Sequence, residues 1–159
     1  MKRSTAGLLL SAAIALAPAA TAHAQQAYAK GLTLDLARKC IAAAEGEAKK
    51  NNWAMAITVV DDGGWLMAFA RMDATQLASV KISIQKARAA NNFKRPTKAF
   101  QDRAATDAAV LGLPGAITSE GGLPLVVDGK IIGAVGSSGG TSAQDGQVAK
   151  ACAENIGKL

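Results

Sequence analysis

The sequence predicts an α+β fold with a mainly antiparallel sheet of four to five strands. Strand-like segments come in pairs joined by short turns, helical patterns open and close the chain, and a short helical insertion separates the two pairs. Strands that follow one another as hairpins pair antiparallel, whereas a parallel sheet needs a crossover between successive strands. We therefore expect the terminal helices to pack on one face of this sheet.

The first helix is predicted from Thr33 to Lys50, and a β-hairpin follows it. Thr33 can cap the helix, along which alanines recur at helical spacing. The hairpin strands are predicted over 53–61 and 65–72, because the first is β-branched in its centre and Asp62 and Gly63 favour a turn.

The middle of the chain is predicted to form three short helices. Helical spacing indicates the first of them over 77–92. Its apolar set is Leu77, Val80, Ile84 and Ala87. Pro96 interrupts the pattern, after which Thr97 and Asp107 can cap the two helices that follow.

The C-terminal run, 123–156, has the pattern of a hairpin, a glycine-rich bend and a closing helix. Asp128 and Gly129 offer the left-handed conformations of a tight hairpin turn. Gly133 and Gly136 interrupt the second strand of this hairpin. Glycine inside a strand indicates that a ligand or another backbone approaches closely.

The bend over 137–141 is a candidate anion site. Ser142 and Asp145, which follow it, have the spacing of a capping box at the start of the last helix. Free amides and the helix dipole at a helix N-terminus attract a carboxylate or phosphate. The predicted ligand-binding residues in this region are Gly136, Gly139, Gly140, Thr141 and Gln144.

Residues 1–24 have the pattern of a secretory signal peptide. Lys2 and Arg3 form the positive start, residues 8–16 form an apolar stretch too short to span a bilayer, and residues 22–24 form an A-x-A cleavage site. We expect a mature chain of residues 25–159 that forms a single periplasmic or secreted domain, with no membrane span after processing.

Cleavage at this site would remove His23, the single histidine of the sequence. A Ser-His-Asp triad, a Cys-His pair, a histidine-ligated zinc site and a proximal haem histidine are then excluded from the mature chain. No pairing of a nucleophile with a base that would support hydrolysis stands out. We therefore expect a binding protein rather than a catalyst.

Basic residues are concentrated in one interval of a chain whose formal net charge is +6. Between residues 81 and 103 they are opposed by Asp102 alone. Such a field favours anionic ligands, and a solvated basic face is the equal alternative. Nucleic acid is not an expected partner, because an exported protein rarely meets it and the interval offers only Phe93 and Phe100 for stacking.

Cys40 and Cys152 lie on the apolar faces of the first and last predicted helices. In an oxidising compartment they could form a disulfide, and two buried thiols are the equal alternative. Pairing requires Cα atoms within about 7 Å, which the sequence does not give.

Several segments resemble the GlcG/HbpS-type haem-binding family, which is related to the C-terminal domain of some corrinoid adenosyltransferases. They are 59–64, 67–73, 86–87, 95–97, 121–124, 133–141 and 144–145. The resemblance covers essentially the whole mature chain. It implies a profilin-like fold, assembly into homo-oligomers and a pocket formed partly between subunits. Exported members of this family bind haem and are associated with its degradation or with redox sensing, while others accompany glycolate metabolism.

The resemblance implies an exported carrier or sensor for haem or a related tetrapyrrole. A chain without histidine would ligate iron through Tyr28, the methionines or another Cys, Lys or hydroxyl group, or would hold the macrocycle by stacking and propionate contacts alone. The basic residues that could neutralise the haem propionates are Arg71, Lys86, Arg88 and Lys98. Two alternatives stay open. One is a module for a small organic acid such as glycolate, and the other is peroxide-dependent breakdown of haem.

Overall fold

The computed structural model describes residues 31–157, so the predicted signal peptide and Tyr28 lie outside the described residues. The elements follow in the order α1 (Leu34–Lys50), β1 (Ala56–Asp61), β2 (Leu66–Arg71), α2 (Ala78–Phe93), α3 (Lys98–Ala104), a 3₁₀ helix (Ala108–Gly112), β3 (Gly122–Val127), β4 (Lys130–Ser138) and α4 (Ser142–Ile156). None of the helices between residues 31 and 157 combines the length and the hydropathy that a membrane span needs.

The α+β class and the antiparallel sheet are confirmed. The sheet has four strands in the order β2-β1-β4-β3, so the two hairpins lie side by side. Their central strands pair from Ala56 opposite Ser138 to Asp61 opposite Gly133. The second hairpin turns at Asp128 and Gly129, whose φ angles of +49° and +73° are the left-handed values that such a turn requires.

The edge strand β2 contains a β-bulge. Val59 of β1 lies opposite Ala68, and the next residue, Val60, lies opposite Leu66, so Met67 has no partner on β1. A bulge leaves its extra residue outside the regular pairing and can re-aim its side chain. Met67 and Ala68, although adjacent, both pack against the core on the side of α1.

Helices α1 and α4 pack together on one face of the sheet, as predicted. Thr33 caps α1 through its side chain, which accepts the backbone N–H of Leu36. The main core lies between these helices and the sheet and contains Ile57, Val59 and Val135. Cys40 and Cys152 lie in this core and are joined by a disulfide, with their Cα atoms 4.3 Å apart. The disulfide therefore links the first helix to the last.

Helix α2 covers the opposite face, where it packs against β1, β3 and β4. The predicted apolar set is only partly the buried face, because Leu77 is 77% exposed and Val80 and Ile84 are half-buried. The face on the sheet instead carries small and polar residues, namely Ser79, Ser83, Lys86, Ala87 and Ala90. The reason is a close approach at Gly136, where a Cβ would collide with the carbonyl oxygen of Ser83. Branched side chains do not fit between backbones at this separation.

Candidate functional site

Lys86 and Asp145 form an ion pair in the interior, between α2 and α4. Nζ of Lys86 donates to Oδ2 of Asp145 at 2.7 Å, and the two side chains are 1% and 4% exposed. Oδ1 of Asp145 accepts the backbone N–H of Gly140 at 3.0 Å. Burial raises the pKa of the Asp145 carboxyl, and the hydrogen bonds from Lys86 and from the Gly140 amide oppose this rise.

The predicted capping box at Ser142 and Asp145 is wrong by one residue. Thr141 is the N-cap of α4, and its Oγ1 accepts the N–H of Gln144 at 3.3 Å. Oε1 of Gln144 in turn accepts the N–H of Thr141 at 2.9 Å. Because the cap lies one position earlier, the Asp145 side chain is not part of the capping box. Its carboxylate instead faces the interior and pairs with Lys86. Threonine and serine are both good caps, so the sequence does not distinguish the two registers.

The glycine-rich bend directs its amides at groups of the protein itself. The Gly140 and Thr141 amides are bonded to Asp145 and Gln144, and the Gly139 amide also lowers the pKa of Asp145. A Cβ at Gly139 would collide with the carbonyl oxygen of Ala54. The strand and bend glycines thus accommodate a neighbouring backbone. Close approach of a backbone, rather than of a ligand, is one of the two interpretations that the sequence allowed. A ligand-binding role for the bend stays a prediction.

The four basic residues predicted to neutralise propionates lie in different places. Lys86 is buried on Asp145, and Lys98 pairs with Asp102 at 2.7 Å on the surface. Arg71 and Arg88 are exposed. Arg71 lines a shallow recess with Glu45, Lys49, Met72 and Asp73, whereas Arg88 lies at the β1–β2 turn.

Thr97 does not cap α3 through its side chain as predicted. Its Oγ1 instead accepts the N–H of Gly122 at 2.9 Å, and its own N–H donates to the Gly122 carbonyl at 3.0 Å. Thr97 therefore ties the segment before α3 to the start of β3. Asp107 does cap the 3₁₀ helix, since its side chain accepts the N–H of Ala109.

A groove of about 340 Å³ lies between α1 and the edge strand β2, and we call it the α1–β2 groove. Its lining combines apolar side chains with one cation and one carboxylate: Leu34, Arg38, Ile41, Ala42, Glu45, Met67, Ala68 and Phe69. Leu34 is 45% exposed and Phe69 is 38% exposed, so apolar surface faces the solvent here. Glu45 pairs with Lys49.

The sequence did not single out Leu34 and Arg38 as site residues. Leu34, Arg38 and Ile41 recur at helical spacing, which is the signal that could have indicated a second face of α1 beside the core stripe. The bulge at Met67 leaves no such signal, because it depends on how β2 pairs with β1.

The donor atoms of residues 31–157 limit which metal centres this part of the chain can hold. Residues 31–157 contain no histidine, and no cluster of His, Cys, Asp and Glu in them could hold a metal ion. Both cysteines are in the disulfide. Met55 is fully buried, whereas Met67 and Met72 are half-buried. Thioether sulfur near the surface is therefore offered by Met67, in the α1–β2 groove, and by Met72, beside Arg71.

A family model described as haem degrading protein HbpS-like matches residues 32–154. The chain belongs to this HbpS-like family. Among curated proteins, it is similar to Protein GlcG of Escherichia coli strain K12, with 47% identity over 108 residues that make up 67% of this chain and 81% of GlcG. The family predicted from the sequence segments is therefore confirmed.

Solved structures share the fold of this HbpS-like chain. The Klebsiella pneumoniae protein ORFY is 32% identical with a TM-score of 0.76, and the match covers 85% of this chain and 97% of ORFY. PduOC, whose structure was solved as a complex with haem, is 25% identical with a TM-score of 0.72, over 80% of this chain and 96% of PduOC. The fold therefore matches experimental structures over nearly the whole described range.

Proposed function

We propose that this protein binds haem or a related tetrapyrrole and acts as a carrier or a sensor. The observation that carries the proposal is the match to PduOC, which was solved with haem, within a family described as haem degrading. The lack of a nucleophile paired with a base in the described residues favours a binding role over fast catalysis.

The α1–β2 groove is the place where the residues of this chain fit haem best. Haem presents a flat apolar face, two propionates and an iron atom. The groove offers Leu34, Ile41 and Phe69 to the apolar face, Arg38 to a propionate and the thioether of Met67 to iron. Arg38 makes no ion pair within residues 31–157. Bound haem would supply redox change and ligand exchange at its iron.

A second copy of the chain would complete the pocket. At about 340 Å³ the groove lies near the lower end of the range for drug-sized ligands, about 300–1,000 Å³, so haem would project beyond it. Leu66, which precedes Met67 on β2, is 52% exposed. Exposed apolar surface of this kind favours contact with another protein surface. We therefore include a homo-oligomer in the proposal.

Titration with haemin tests the proposal. We expect a saturable shift of the Soret band with a fixed stoichiometry. Met67→Leu should change the position of the band and weaken binding about tenfold, because leucine keeps the volume but offers no sulfur. Met72→Leu is the matched control, since Met72 is also half-buried but lies outside the groove. Absence of a Soret shift would overturn haem binding, and equal effects of the two variants would overturn the role of Met67.

Export to the periplasm or the medium is part of the proposal. Residues 1–24 have the pattern of a signal peptide, and a buried disulfide suits an oxidising compartment. Mass spectrometry of the protein recovered from a periplasmic extract should give an N-terminus at Gln25. Recovery of the full chain from the cytoplasm alone would contradict export.

A second candidate ligand is a small organic acid such as glycolate. The recess at Arg71 favours it, because Arg71 makes no ion pair with a described residue, whereas Lys49 in the same recess is paired with Glu45. A bound ligand raises the melting temperature by linkage. A rise with glycolate that Arg71→Gln abolishes, with none for haemin, would favour this candidate over haem.

The family description makes haem breakdown a third candidate activity. It predicts that the protein accelerates the peroxide-dependent loss of the Soret band beyond the rate of free haemin. A rate equal to that of free haemin would leave binding as the function.

A further inference from the structure

A second recess, which we call the turn cleft, lies beside the β1–β2 turn. Its volume is about 260 Å³, and it is lined by Gly63, Gly64, Trp65, Arg88 and Asn92. It shares no lining residue with the α1–β2 groove. Its volume is below the range of drug-sized ligands, so only a small molecule would fit.

Two side chains of α2 fix the turn that forms one wall of the cleft. Nε of Arg88 donates to the carbonyl oxygen of Gly64 at 3.2 Å. Nδ2 of Asn91 donates to the carbonyl oxygen of Asp62 at 2.9 Å. Gly64 has a φ of +79°, a left-handed value that favours glycine. The cleft is therefore pre-organised, which lowers the cost of ordering it around a ligand.

Arg88 places a guanidinium cation at this cleft, and only one of its three nitrogens is bonded to a described residue. Its Nε is bonded to Gly64, and its two terminal nitrogens make no hydrogen bond or ion pair within the described part of the chain. This outer edge of a guanidinium pairs with a carboxylate through two parallel hydrogen bonds.

Arg88 makes no ion pair with Asp61 or Asp62, the two carboxylates of the turn. Oδ1 of Asp61 accepts the backbone N–H of Trp65 at 2.8 Å. Asp62 lines a neighbouring recess together with Lys94 and Lys130. An anionic ligand in the turn cleft would therefore meet a cation that makes no ion pair within residues 31–157.

Trp65 adds a flat apolar surface next to this cation. Its side chain is 71% exposed, and it packs over Gly63, where a Cβ would lie 3.0 Å from its Cδ1. Indole is amphipathic and offers its face to another aromatic ring or an apolar group. Tryptophan and arginine are both enriched among the residues that contribute most to binding at protein interfaces.

We propose that the turn cleft binds a small aromatic carboxylate. The carboxylate would pair with the free edge of Arg88, the ring would stack on Trp65, and the Asn92 amide would hydrogen-bond to the ligand. This site lies beyond the proposed haem function and shares no residue with the groove assigned to it.

The fluorescence of Trp65 provides the test. The sequence has two tryptophans, so the Trp53→Phe variant isolates the emission of Trp65. Benzoate, which has both a ring and a carboxylate, should change this emission saturably. Acetate lacks the ring and benzamide lacks the charge, so each should bind about tenfold more weakly or not at all. Equal responses to benzoate and benzamide, or no saturable response to benzoate, would overturn the proposal.

Variants assign the response to the cleft. In the Trp53→Phe background, Arg88→Gln should weaken benzoate binding at least about tenfold, because it removes a charged double hydrogen bond. The control Lys81→Gln removes an exposed cation of the same helix that does not line the cleft, and it should leave benzoate affinity within about twofold. Equal weakening of benzoate binding by both variants would mean that only the net charge of the protein matters, and it would overturn the site.

Three further measurements keep the test independent of folding and of haem binding. Amide shifts of Gly63 and Gly64 in the wild-type protein should move saturably with benzoate, and their failure to move would also overturn the site. Met67→Leu should leave benzoate binding unchanged, while Arg88→Gln should leave haemin binding unchanged. If either variant lost the binding of both haemin and benzoate, the proposal of two separate sites would be contradicted.

Discussion

Replacing Lys86 with methionine removes one partner of the buried ion pair and keeps most of the apolar stem of the side chain. The ammonium lies 2.7 Å from the Asp145 carboxylate, and both side chains are almost completely buried. Removing one partner of such a pair costs about 3–5 kcal/mol, because the remaining charge is left uncompensated. We therefore expect Lys86→Met to lower the free energy of unfolding by about this amount, which is a large part of the ~5–15 kcal/mol typical of a domain.

Urea denaturation followed by far-UV circular dichroism measures this loss at pH 7. Lys98→Met is the matched control, because it breaks an exposed lysine–aspartate pair of the same 2.7 Å length. The control should leave the denaturation midpoint within experimental error. A loss below about 1 kcal/mol for Lys86→Met, or equal losses in both variants, would refute the reasoning.

The loss caused by Lys86→Met should shrink as the pH falls. Burial raises the pKa of Asp145 above its ordinary 3.8, and Lys86 opposes the rise, so removing Lys86 raises this pKa further. A carboxyl with a higher pKa in the folded state stabilises the fold below its unfolded pKa, and this stability is lost as the pH rises through the folded pKa. The difference in the free energy of unfolding between the variant and the wild type should thus be smaller at pH 5 than at pH 8. An equal difference at both pH values would contradict this linkage.

Four further changes test the packing by denaturation. Replacing Cys40 and Cys152 with alanine should cost about 2–5 kcal/mol, and reductant should then have no further effect. Gly136→Ala should cost about 1–3 kcal/mol through collision with α2, whereas Gly46→Ala, which meets open space on α1, should gain about 0.5–1 kcal/mol. Thr141→Ala should cost about 1 kcal/mol if it is the N-cap of α4. Reversed signs for the two glycines, or no loss at Thr141, would contradict the described packing.

Local patterns were sufficient to predict the elements of this fold. Thr33 and the alanine spacing after it predict α1, and the turn residues Asp128 and Gly129 predict the second hairpin. Such signals depend on a few neighbouring residues, and tertiary packing does not override them here. The family resemblance rested on segments spread along the chain from residue 59 to residue 145, and the family match over residues 32–154 contains all of them.

The orientation of α2 could not be predicted in the same way. Apolar spacing favoured the face that contains Leu77, but the glycine in β4 brings the helix backbone so close that serine and alanine fill the interface. The buried state of Lys86 follows from this packing. A lysine in a basic interval is normally on the surface, and only the position of Asp145 on another helix explains its burial.

The α1–β2 groove could not be predicted because it depends on strand register. The bulge at Met67 appears only when β2 is paired with β1, and the sequence carries no separate signal for it. Arg38 belongs to a helix face that the core stripe of α1 does not include. The four predicted basic residues do not meet in the fold, because Lys86 is buried and the other three lie on separate parts of the surface.

A crystal structure of the protein grown with haemin tests the proposed function most directly. Data collected at the iron absorption edge would locate the metal without reference to the rest of the density. We expect an anomalous peak in the α1–β2 groove next to the sulfur of Met67, with a propionate near Arg38. Iron located away from this groove, or crystals that bind no haemin, would contradict the account.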